Sequence, residues 1–540
     1  MRSTAATILL ALAHPDMRRL QLASASWSAG EAAYLVGLFV FAYAASGPGG
    51  VALVAIIRTV PSVVLAPTMA ALTSGRPADD SLRATLAVRI AAVALLAVAL
   101  AAGLPEPLVY LLAALDSIAA TFLRPLRGSM LPAVARSPDE LVAGNVALTT
   151  GDSLANLVGP MLAAACLLLG GPVATFVPGL GLLVLAVLSA MRLHAARPMQ
   201  TARRTRADAP SGGRLDTVRW LARNPARLVV AMFTIQRLVR GALTVLLVAA
   251  AIDLLGMGDP GVGLLTAAIG SGGLVGGFVA FGLVGRTRLA PAFVAGLVIW
   301  GLGIALIGLV PIVGIALISL AVGGIGKVLI DVAGYTLLQR TVPNDHRTQV
   351  LGIQEGLVTA ALALGSVLAS VLIEAVGIGS ALIIAGALPA VAALVAWPGL
   401  RHVDAAVVVP AHEVALIRGV PMFSPLQLST LEELAAGLEW RTADAGDVVV
   451  RQGDLGDRFF MIDLGEVLVE IDGRDSGRLG PGGSFGEIAL LRDVPRTATI
   501  TAETHVRLAA IERTHFIEAV TGHHQSAAAA DRVVAELLAP

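Results

Sequence analysis

Lysine is almost missing from this chain, and charge of either sign is scarce. Of its 540 residues, 14% are charged and 56% are hydrophobic, and 38 Lys and Arg residues balance 38 Asp and Glu residues. A soluble chain of this length needs more charged residues to cover its surface. The composition therefore excludes a wholly soluble protein, and a net charge of zero gives no basis for a nucleic-acid partner.

Disulfide chemistry and metal binding also find little support. Cys166 is the single cysteine, so no disulfide can form within one chain, and its apolar surroundings favour a small buried side chain. The histidines have no metal-ligand spacing, and the sequence contains no catalytic triad and no Walker loop. We therefore expect neither a metal nor an enzyme.

Apolar runs long enough to cross a membrane recur over the first 400 residues. A span needs about 20 apolar residues for a ~30 Å hydrocarbon core. The sequence therefore predicts a polytopic α-helical membrane protein with two six-helix halves. Cutting the runs at Gly and Pro gives about twelve spans, at 20–46, 50–74, 84–104, 106–131, 140–170, 172–194, 225–254, 261–285, 290–310, 312–339, 348–376 and 378–400.

These spans divide the chain into segments. An alternative concerns the N-terminus, where residues 5–13 could be a signal peptide, but cleavage there would leave Arg18 and Arg19 on the outer side. The predicted segments are a cytoplasmic N-terminal segment (1–19), an N-terminal six-span half (20–194), a basic cytoplasmic loop (195–224), a C-terminal six-span half (225–400), a connector (401–414) and a soluble domain (415–540).

The charges of the predicted loops sort by side. The arginine-bearing loops all lie on the side of the N-terminus, whereas the opposite loops carry only acids such as Glu106, Asp259 and Glu374. Under the positive-inside rule, both termini and the soluble domain are predicted to be cytoplasmic, and the membrane would be a bacterial inner membrane.

Short motifs recur in the two halves. Asp116 and Asp331 each precede the polar end of a span by eight residues, at Arg124 and Gln339. The six-plus-six layout resembles the major facilitator superfamily over residues 15–400, and it implies a secondary transporter. The motifs that suggest its drug- and siderophore-exporting branch are Arg124-Pro125, Asn145, Gly159-Pro160, Leu338-Gln339-Arg340, Pro343 and Gly365-Ser366. The family's loop signature after the second span is degraded around Arg76.

Nine ionisable residues fall well inside the predicted spans. Such side chains are costly in a membrane, so they face a partner, a cavity or a transport pathway. Lys327 and Asp331 are four residues apart, which also allows a simple ion pair along one helix. The nine candidates for transport or proton coupling are Glu31, Arg58, Asp116, Asp152, Arg237, Arg240, Lys327, Asp331 and Glu355.

The last segment, 415–540, has a different pattern. Short apolar runs alternate with turn residues after Trp440 and predict strands at 448–450, 459–462, 467–471, 499–501 and 506–511. Helices are expected on both sides, at 412–419, 426–438, 514–520 and 525–538. The prediction is an α+β domain built on a small β-barrel.

Residues 485–499 carry ligand-binding chemistry within this domain. Gly486 begins a turn that lets backbone approach a ligand, and the short helical turn after it offers amide hydrogens to an anion. The guanidinium of Arg496 suits two-point binding of a phosphate. Glu487 is a poor phosphate ligand but a good acceptor for a sugar hydroxyl. These groups together suit a ribose that bears a phosphate diester.

The segment resembles the phosphate-binding cassette of cyclic-nucleotide-binding domains, over about residues 412–540. The resemblance implies a jelly-roll-like barrel in which Glu487 holds the ribose 2′-hydroxyl, Arg496 holds the cyclic phosphate and Thr497 lies beside the purine. The backbone amides implied in the site are those near Gly486, Ile488 and Ala489. The side chains implied in an apolar lid are those of Val533, Val534, Leu537 and Leu538.

The sequence thus predicts a transporter, an exporter of small molecules, that cytoplasmic cyclic nucleotide regulates. Cyclic AMP is the expected ligand, and cyclic GMP is the alternative. The degraded loop favours a second function, a non-transporting receptor for cyclic nucleotide on a transporter scaffold. A barrel kept only for folding or dimerisation is the alternative for the soluble domain. Expected partners are the lipid bilayer, a small-molecule substrate and the nucleotide, with a homodimer left open.

The repeated position of Asp116 and Asp331 motivates a first hypothesis, that their carboxylates exchange protons between the two faces of the membrane. A buried carboxylate can change its charge, whereas arginine stays protonated. Changing both residues to Asn should abolish proton-driven transport in proteoliposomes. Unchanged proton-driven transport in the double variant would contradict the hypothesis.

Overall fold

The computed structural model describes residues 15–73, 78–134, 138–191, 193, 214–281, 288–342, 344–406, 411–426, 430–431, 434–435, 437–521, 526, 529–530 and 532–533. The chain forms two compact units, Met1–Val407 and Val408–Pro540. The first unit is helical, and the second combines helices with two antiparallel sheets.

Eleven helices of the first unit follow one another in the described residues. They are α1 (Pro15–Thr73), α2 (Ala78–Ala101), α3 (Glu106–Val134), α4 (Pro138–Ala174), α5 (Phe176–Met191), α6 (Arg214–Arg223), α7 (Ala226–Ala249), α8 (Asp259–Phe281), α9 (Ala290–Leu309), α10 (Val313–Thr341) and α11 (Asn344–Ala406). The π-helical segment Ala250–Leu254 extends α7. Helix α6 lies in the segment predicted as a loop, and the arginine run at 203–206 lies outside the described residues.

Three of the long helices break at a glycine. Gly47 in α1, Gly171 in α4 and Gly377 in α11 have φ of 58°, 67° and 79°, a region that glycine enters without steric cost. The breaks coincide with the predicted ends of spans. Within the described residues, nine helices are long and apolar enough to cross a membrane, by length and composition alone. The figure of twelve spans stays a prediction.

Glycines bring the two halves of the helical unit into close contact. A Cβ atom at Gly263 of α8 would lie 2.5 Å from the carbonyl oxygen of Pro160 in α4. One at Gly270 would lie 2.5 Å from the carbonyl oxygen of Asn156. Small residues allow helix backbones to approach in this way where no hydrophobic force drives association.

Helix α11 extends beyond the predicted end of the last span at residue 400. The carboxylate of Asp404 is 6% exposed and accepts the backbone N–H groups of Leu289 (2.9 Å) and Ala290 (3.2 Å). These groups begin α9, whose first amide hydrogens have no partner within their own helix. A residue 115 positions away in the chain therefore caps α9.

The second unit is built on eight strands. They are β1 (Glu439–Ala443), β2 (Val448–Val450), β3 (Arg458–Leu464), β4 (Val467–Ile471), β5 (Arg474–Leu479), β6 (Ser484–Phe485), β7 (Thr499–Ala502) and β8 (Val506–Glu512). Two antiparallel sheets have the orders β1-β8-β3-β6 and β2-β7-β4-β5. Helices α12 (Ala411–Gly419), α13 (Glu487–Arg492) and α14 (Arg513–Thr521) accompany them. The five predicted strands are all present, whereas β1, β5 and β6 were not predicted.

Alternation along β3 divides the core of this unit. Phe459 and Met461 pack with the helices, where Phe459 stacks on Phe516 of α14 at 4.8 Å between ring centroids. Phe460 and Ile462 point to the opposite side and pack between the sheets. Successive side chains of a strand face opposite sides, so one strand serves both clusters.

Neighbouring glycines of α8 provide a test of the helix packing. A Cβ atom at Gly272 would lie 1.7 Å from the carbonyl oxygen of Ala321 in α10, whereas one at Gly273 meets no described atom within 4 Å. We expect Gly272→Ala to destabilise the protein by about 1–3 kcal/mol, because the helices must separate. The matched Gly273→Ala should leave the thermal unfolding midpoint of the purified chain unchanged. Equal effects would contradict this packing.

Candidate nucleotide site and buried charge clusters

The turn at Gly486 positions the candidate nucleotide site. Gly486 has φ of 99° and precedes α13, a helix of six residues. A Cβ atom here would lie 2.4 Å from Nη1 of Arg496, so the glycine provides both the backbone angle and the space for this guanidinium. The guanidinium in turn donates to the carbonyl oxygen of Gly486 at 3.2 Å.

Arg496 is held from several sides. Its backbone N–H donates to the carbonyl of Asp454 (2.8 Å), and its carbonyl accepts the N–H of Gly453 (2.9 Å). Its Nη2 donates to the carbonyl of Arg458 (2.7 Å), and the guanidinium lies 5.8 Å from the ring centroid of Phe460. Burial lowers the pKa of Arg496 from its ordinary value. A guanidinium has five N–H donors, so two bonds to carbonyls leave donors for an anion.

Glu487 is buried without a matching donor. The residue is 4% exposed, and its Oε2 has no hydrogen-bond partner among the described residues. Burial raises the pKa of this carboxyl group, against the opposing effects of its own backbone N–H and of Arg496. A buried acceptor without a partner is costly, and a hydroxyl donor from a ligand would remove that cost.

The remaining candidates differ in exposure. Ala489 is 2% exposed, Ile488 is half-buried and Thr497 is exposed. Val533 of the expected lid is described and packs against the helix-side core. Val534, Leu537 and Leu538 lie outside the described residues.

A first charge cluster forms in the N-terminal half of the helical unit. Arg58 contacts Glu31 (2.9 Å) and Asp116 (3.1 Å). Arg89 of α2 makes a second bridge between the same acids, with its Nε 2.9 Å from Asp116 and its Nη2 3.1 Å from Glu31. Tyr34 also donates its hydroxyl to Asp116. Three of the predicted residues therefore meet. Arg89 and Tyr34, which were not among the nine candidates, complete the cluster.

Asp152 lies apart from that cluster. Its carboxylate is 2.9 Å from Nη1 of Arg127 and accepts the hydroxyl of Ser28 at 3.3 Å. Arg127 lies inside the fourth predicted span at 106–131, close to its end, and α3 continues past it to Val134. The pair thus joins α3 to α4.

A second cluster forms in the C-terminal half. Nζ of Lys327 lies 2.9 Å from Asp331, which is the ion pair that their spacing allows, and Arg237 lies 3.3 Å from the same carboxylate. Arg240 is close enough for its charge to act on both Lys327 and Asp331. Glu355 instead accepts the hydroxyl of Tyr335 at 3.2 Å.

Arg89 was missed although a signal for it exists. It lies five residues inside the predicted third span at 84–104, and an arginine in an apolar run is the same signal that selected Arg58. Arg127 gave the same signal inside the fourth predicted span, whereas Tyr34 gave none, because only the tertiary structure brings its hydroxyl to a carboxylate.

The buried charge of Glu487 gives a prediction for the nucleotide-free protein. Its raised pKa means that folding favours the protonated carboxyl group. The free-energy cost of burying the charged form is therefore fully present above the pKa of the folded state, and it disappears as the pH falls below the unfolded-state value of about 4.3. Glu487→Gln should stabilise the strand-containing unit at pH 7 by about 1–3 kcal/mol, and the gain should shrink as the pH is lowered.

Differential scanning calorimetry of the full chain between pH 5 and pH 8 measures this effect. Glu512→Gln, at an exposed position at the end of β8, is the matched control and should change little. A variant at Glu487 that is less stable than the wild type at every pH would contradict an uncompensated charge.

Two family models match the chain. The Major Facilitator Superfamily model matches residues 229–442, and the cyclic nucleotide-binding domain model matches residues 440–523. The first match begins in α7, and the second includes all eight residues from Gly486 to Asp493 and the arginine at 496. With the nine apolar helices, these matches make the chain a multi-pass membrane protein.

A curated relative matches part of the chain. A cyclic nucleotide-gated potassium channel of Mesorhizobium japonicum is 40% identical over 101 residues, which is 19% of this chain and 28% of the channel. The chain thus spans little more than a quarter of that relative.

Solved structures are similar to about a quarter of the chain. The regulatory domain of Toxoplasma gondii PKA with cAMP is 21% identical, with 26% of this chain and 55% of that chain covered and a TM-score of 0.22. The sensor domain of the regulator DNR from Pseudomonas aeruginosa is 22% identical, with 23% and 92% covered and a TM-score of 0.22. The two family matches are the stronger finding: this chain joins a Major Facilitator Superfamily region to a C-terminal cyclic nucleotide-binding domain.

Proposed function

We propose that the chain is a secondary transporter, an exporter of small molecules, whose activity depends on cyclic nucleotide bound to its C-terminal domain. The superfamily consists in general of transporters and not of enzymes. Cyclic AMP is the first candidate ligand and cyclic GMP the second. The proposed location is a bacterial inner membrane, with both termini and the nucleotide site in the cytoplasm.

One observation carries the regulatory part of this proposal. Oε2 of Glu487 and the guanidinium of Arg496 are both buried, yet the carboxylate oxygen has no donor among the described residues. A ribose hydroxyl would supply that donor, and a cyclic phosphate would take the remaining N–H groups of Arg496. A barrel kept only for folding gains nothing from such a carboxylate.

Asp404 offers a route from the nucleotide domain to the transporter. It caps α9 from the end of α11, only seven residues before the first residue of α12 in the second unit. A displacement of the chain at this point would loosen or tighten the start of α9. Allosteric coupling of about 1–3 kcal/mol, the usual range, would change activity by roughly 5- to 150-fold.

The transport function is supported by the two charge clusters. Each half places a carboxylate, Asp116 or Asp331, against two basic groups within a helical bundle. Groups that can exchange partners or protons at this depth are typical of substrate and ion pathways. The nine predicted residues stay candidates for these roles.

A non-transporting receptor is the second candidate function. The degraded sequence around Arg76 favours it, because this loop normally helps to hold one transporter conformation. In that case nucleotide binding would be retained, but no flux would respond to it.

Calorimetry and flux measurements on the full chain test the proposal. Purified protein should bind cyclic AMP, and Arg496→Ala should abolish binding, because the phosphate loses its guanidinium. Arg492→Ala, at an exposed position on α13, is the control and should bind normally. In proteoliposomes with a trapped pH dye, nucleotide should change proton flux in the wild type and in the Arg492 variant but not in the Arg496 variant.

A variant at Asp404 separates binding from coupling in the same assays. Asp404→Ala should bind nucleotide as the wild type does but lose most of the flux response, because α9 is no longer capped. Arg401→Ala, which removes an exposed side chain on Trp397, is the control. Wild-type protein without affinity for either nucleotide would contradict the proposed function.

A further inference from the structure

The N-terminal charge cluster is electrically balanced, and this balance depends on both of its carboxylates. Arg58 and Arg89 supply two positive charges, and Glu31 and Asp116 supply two negative charges. Each guanidinium contacts both carboxylates. The loss of either negative charge would therefore leave two arginines around one acid, with a net charge of plus one.

The two carboxylates differ in accessibility. The side chains of Asp116 and Arg89 are 0% exposed and that of Arg58 is 10% exposed, whereas that of Glu31 is 30% exposed. An ionisable group at this depth faces a cavity or the bundle interior, since lipid contact is too costly. Glu31 is therefore the acid that a proton from water can reach.

Arg89 has an unused donor. Its Nη1 is buried and has no hydrogen-bond partner within the described part of the chain, although its Nε and Nη2 are engaged. A buried guanidinium nitrogen without an acceptor is as costly as a buried acceptor without a donor. This nitrogen belongs to the same guanidinium whose Nη2 contacts Glu31 at 3.1 Å.

We propose that this cluster binds an anionic group of the transported substrate, a carboxylate or a phosphate. The substrate anion takes the place of Glu31 on Arg58 and Arg89, and Glu31 accepts one proton from water as it leaves. Asp116 stays in contact with both arginines, so Glu31 takes the proton-exchanging role that the sequence suggested for Asp116. One proton enters the cluster for each negative charge that binds. A guanidinium suits two-point contact with either group. The inference rests on the proposed transport function and assigns its substrate class.

The second cluster agrees with an anionic substrate. It contains three bases, Arg237, Arg240 and Lys327, against the two acids Asp331 and Glu355. Nε of Arg237 is buried and has no acceptor among the residues that the structure describes. The unused donor thus recurs in the other half, where the bases outnumber the acids by one.

The other charged groups on helices packed against α1 have interactions of their own. Asp152 of α4 pairs with Arg127, Arg237 of α7 pairs with Asp331, and Glu355 of α11 accepts from Tyr335. Arg240 of α7 interacts with Lys327 and Asp331. Tyr34 faces the cluster itself and donates to Asp116. Arg58 and Arg89 are therefore the charged groups that contact Glu31.

Isothermal titration calorimetry of the full chain in lipid nanodiscs tests the assignment. Benzoate and inorganic phosphate serve as probes, and tetramethylammonium serves as the cationic counterpart. Titrations at pH 6.5 in two buffers of different ionisation enthalpy report proton uptake. We expect one or both anions to bind with uptake of about one proton, and the two probes distinguish a carboxylate from a phosphate site.

Two variants and one matched control complete the test. Glu31→Gln should bind the anion about tenfold more tightly or better and without proton uptake, because the competing charge is gone. Arg89→Gln should lose at least about tenfold in affinity, whereas Arg127→Gln, in the separate pair with Asp152, should bind as the wild type does. A gain of affinity in Glu31→Gln cannot arise from poor folding.

Several outcomes would overturn the inference. Two concern the variants: Glu31→Gln binds the anion more weakly than the wild type, or Arg89→Gln binds it normally. Two concern the probes: neither anion binds to the wild type or to Glu31→Gln, or tetramethylammonium binds in a way that depends on Glu31. Cyclic AMP is titrated into the same samples. Loss of nucleotide binding would then count against the proposed function and not against the anion site.

Discussion

A charge held away from water costs several kcal/mol unless opposite charges or hydrogen-bond donors surround it. The two units of this protein meet that constraint in opposite ways. In the helical unit, Asp116 is fully buried and contacts Arg58, Arg89 and Tyr34, so its charge is compensated from three sides. In the strand-containing unit, Glu487 is nearly as buried but lacks a donor for one oxygen. The charge of Asp116 is thus compensated without a ligand, and that of Glu487 becomes compensated with one.

Close contact between helix backbones provides the frame for these charges. Glycines of α8 lie against carbonyl groups of α4 and α10, so the bundle is tight where α8 crosses both helices. The two charge clusters occupy positions on α1, α2, α3, α7 and α10, and the separate pair of Asp152 with Arg127 joins α4 to α3. The protein thus combines rigid contacts of small residues with a polar interior in which bonds can be exchanged.

The sequence predicted the general fold and the nucleotide cassette well, for physical reasons. Apolar runs and the alternation of β3 and β4 reflect burial directly, and the glycines at the helix breaks coincide with predicted span ends. Strands β1 and β5 were missed because most of their residues are exposed, so they show no apolar alternation. The partners of Arg496 could not be predicted, because two of them are backbone carbonyls, one at the start of β3 and one in the turn before α13. The association of Arg89 with Asp116 likewise depends on how α2 and α3 pack.

The cap that Asp404 provides has a consequence for dissecting the protein. The last predicted span ends at residue 400, and a fragment cut there to isolate the membrane part would remove the acceptor for the first amide groups of α9. Such a fragment would differ from the intact chain in the helical bundle itself as well as in the absence of the nucleotide domain. The natural border for a membrane fragment therefore lies after α11, at Ala406, and not at the end of its apolar run.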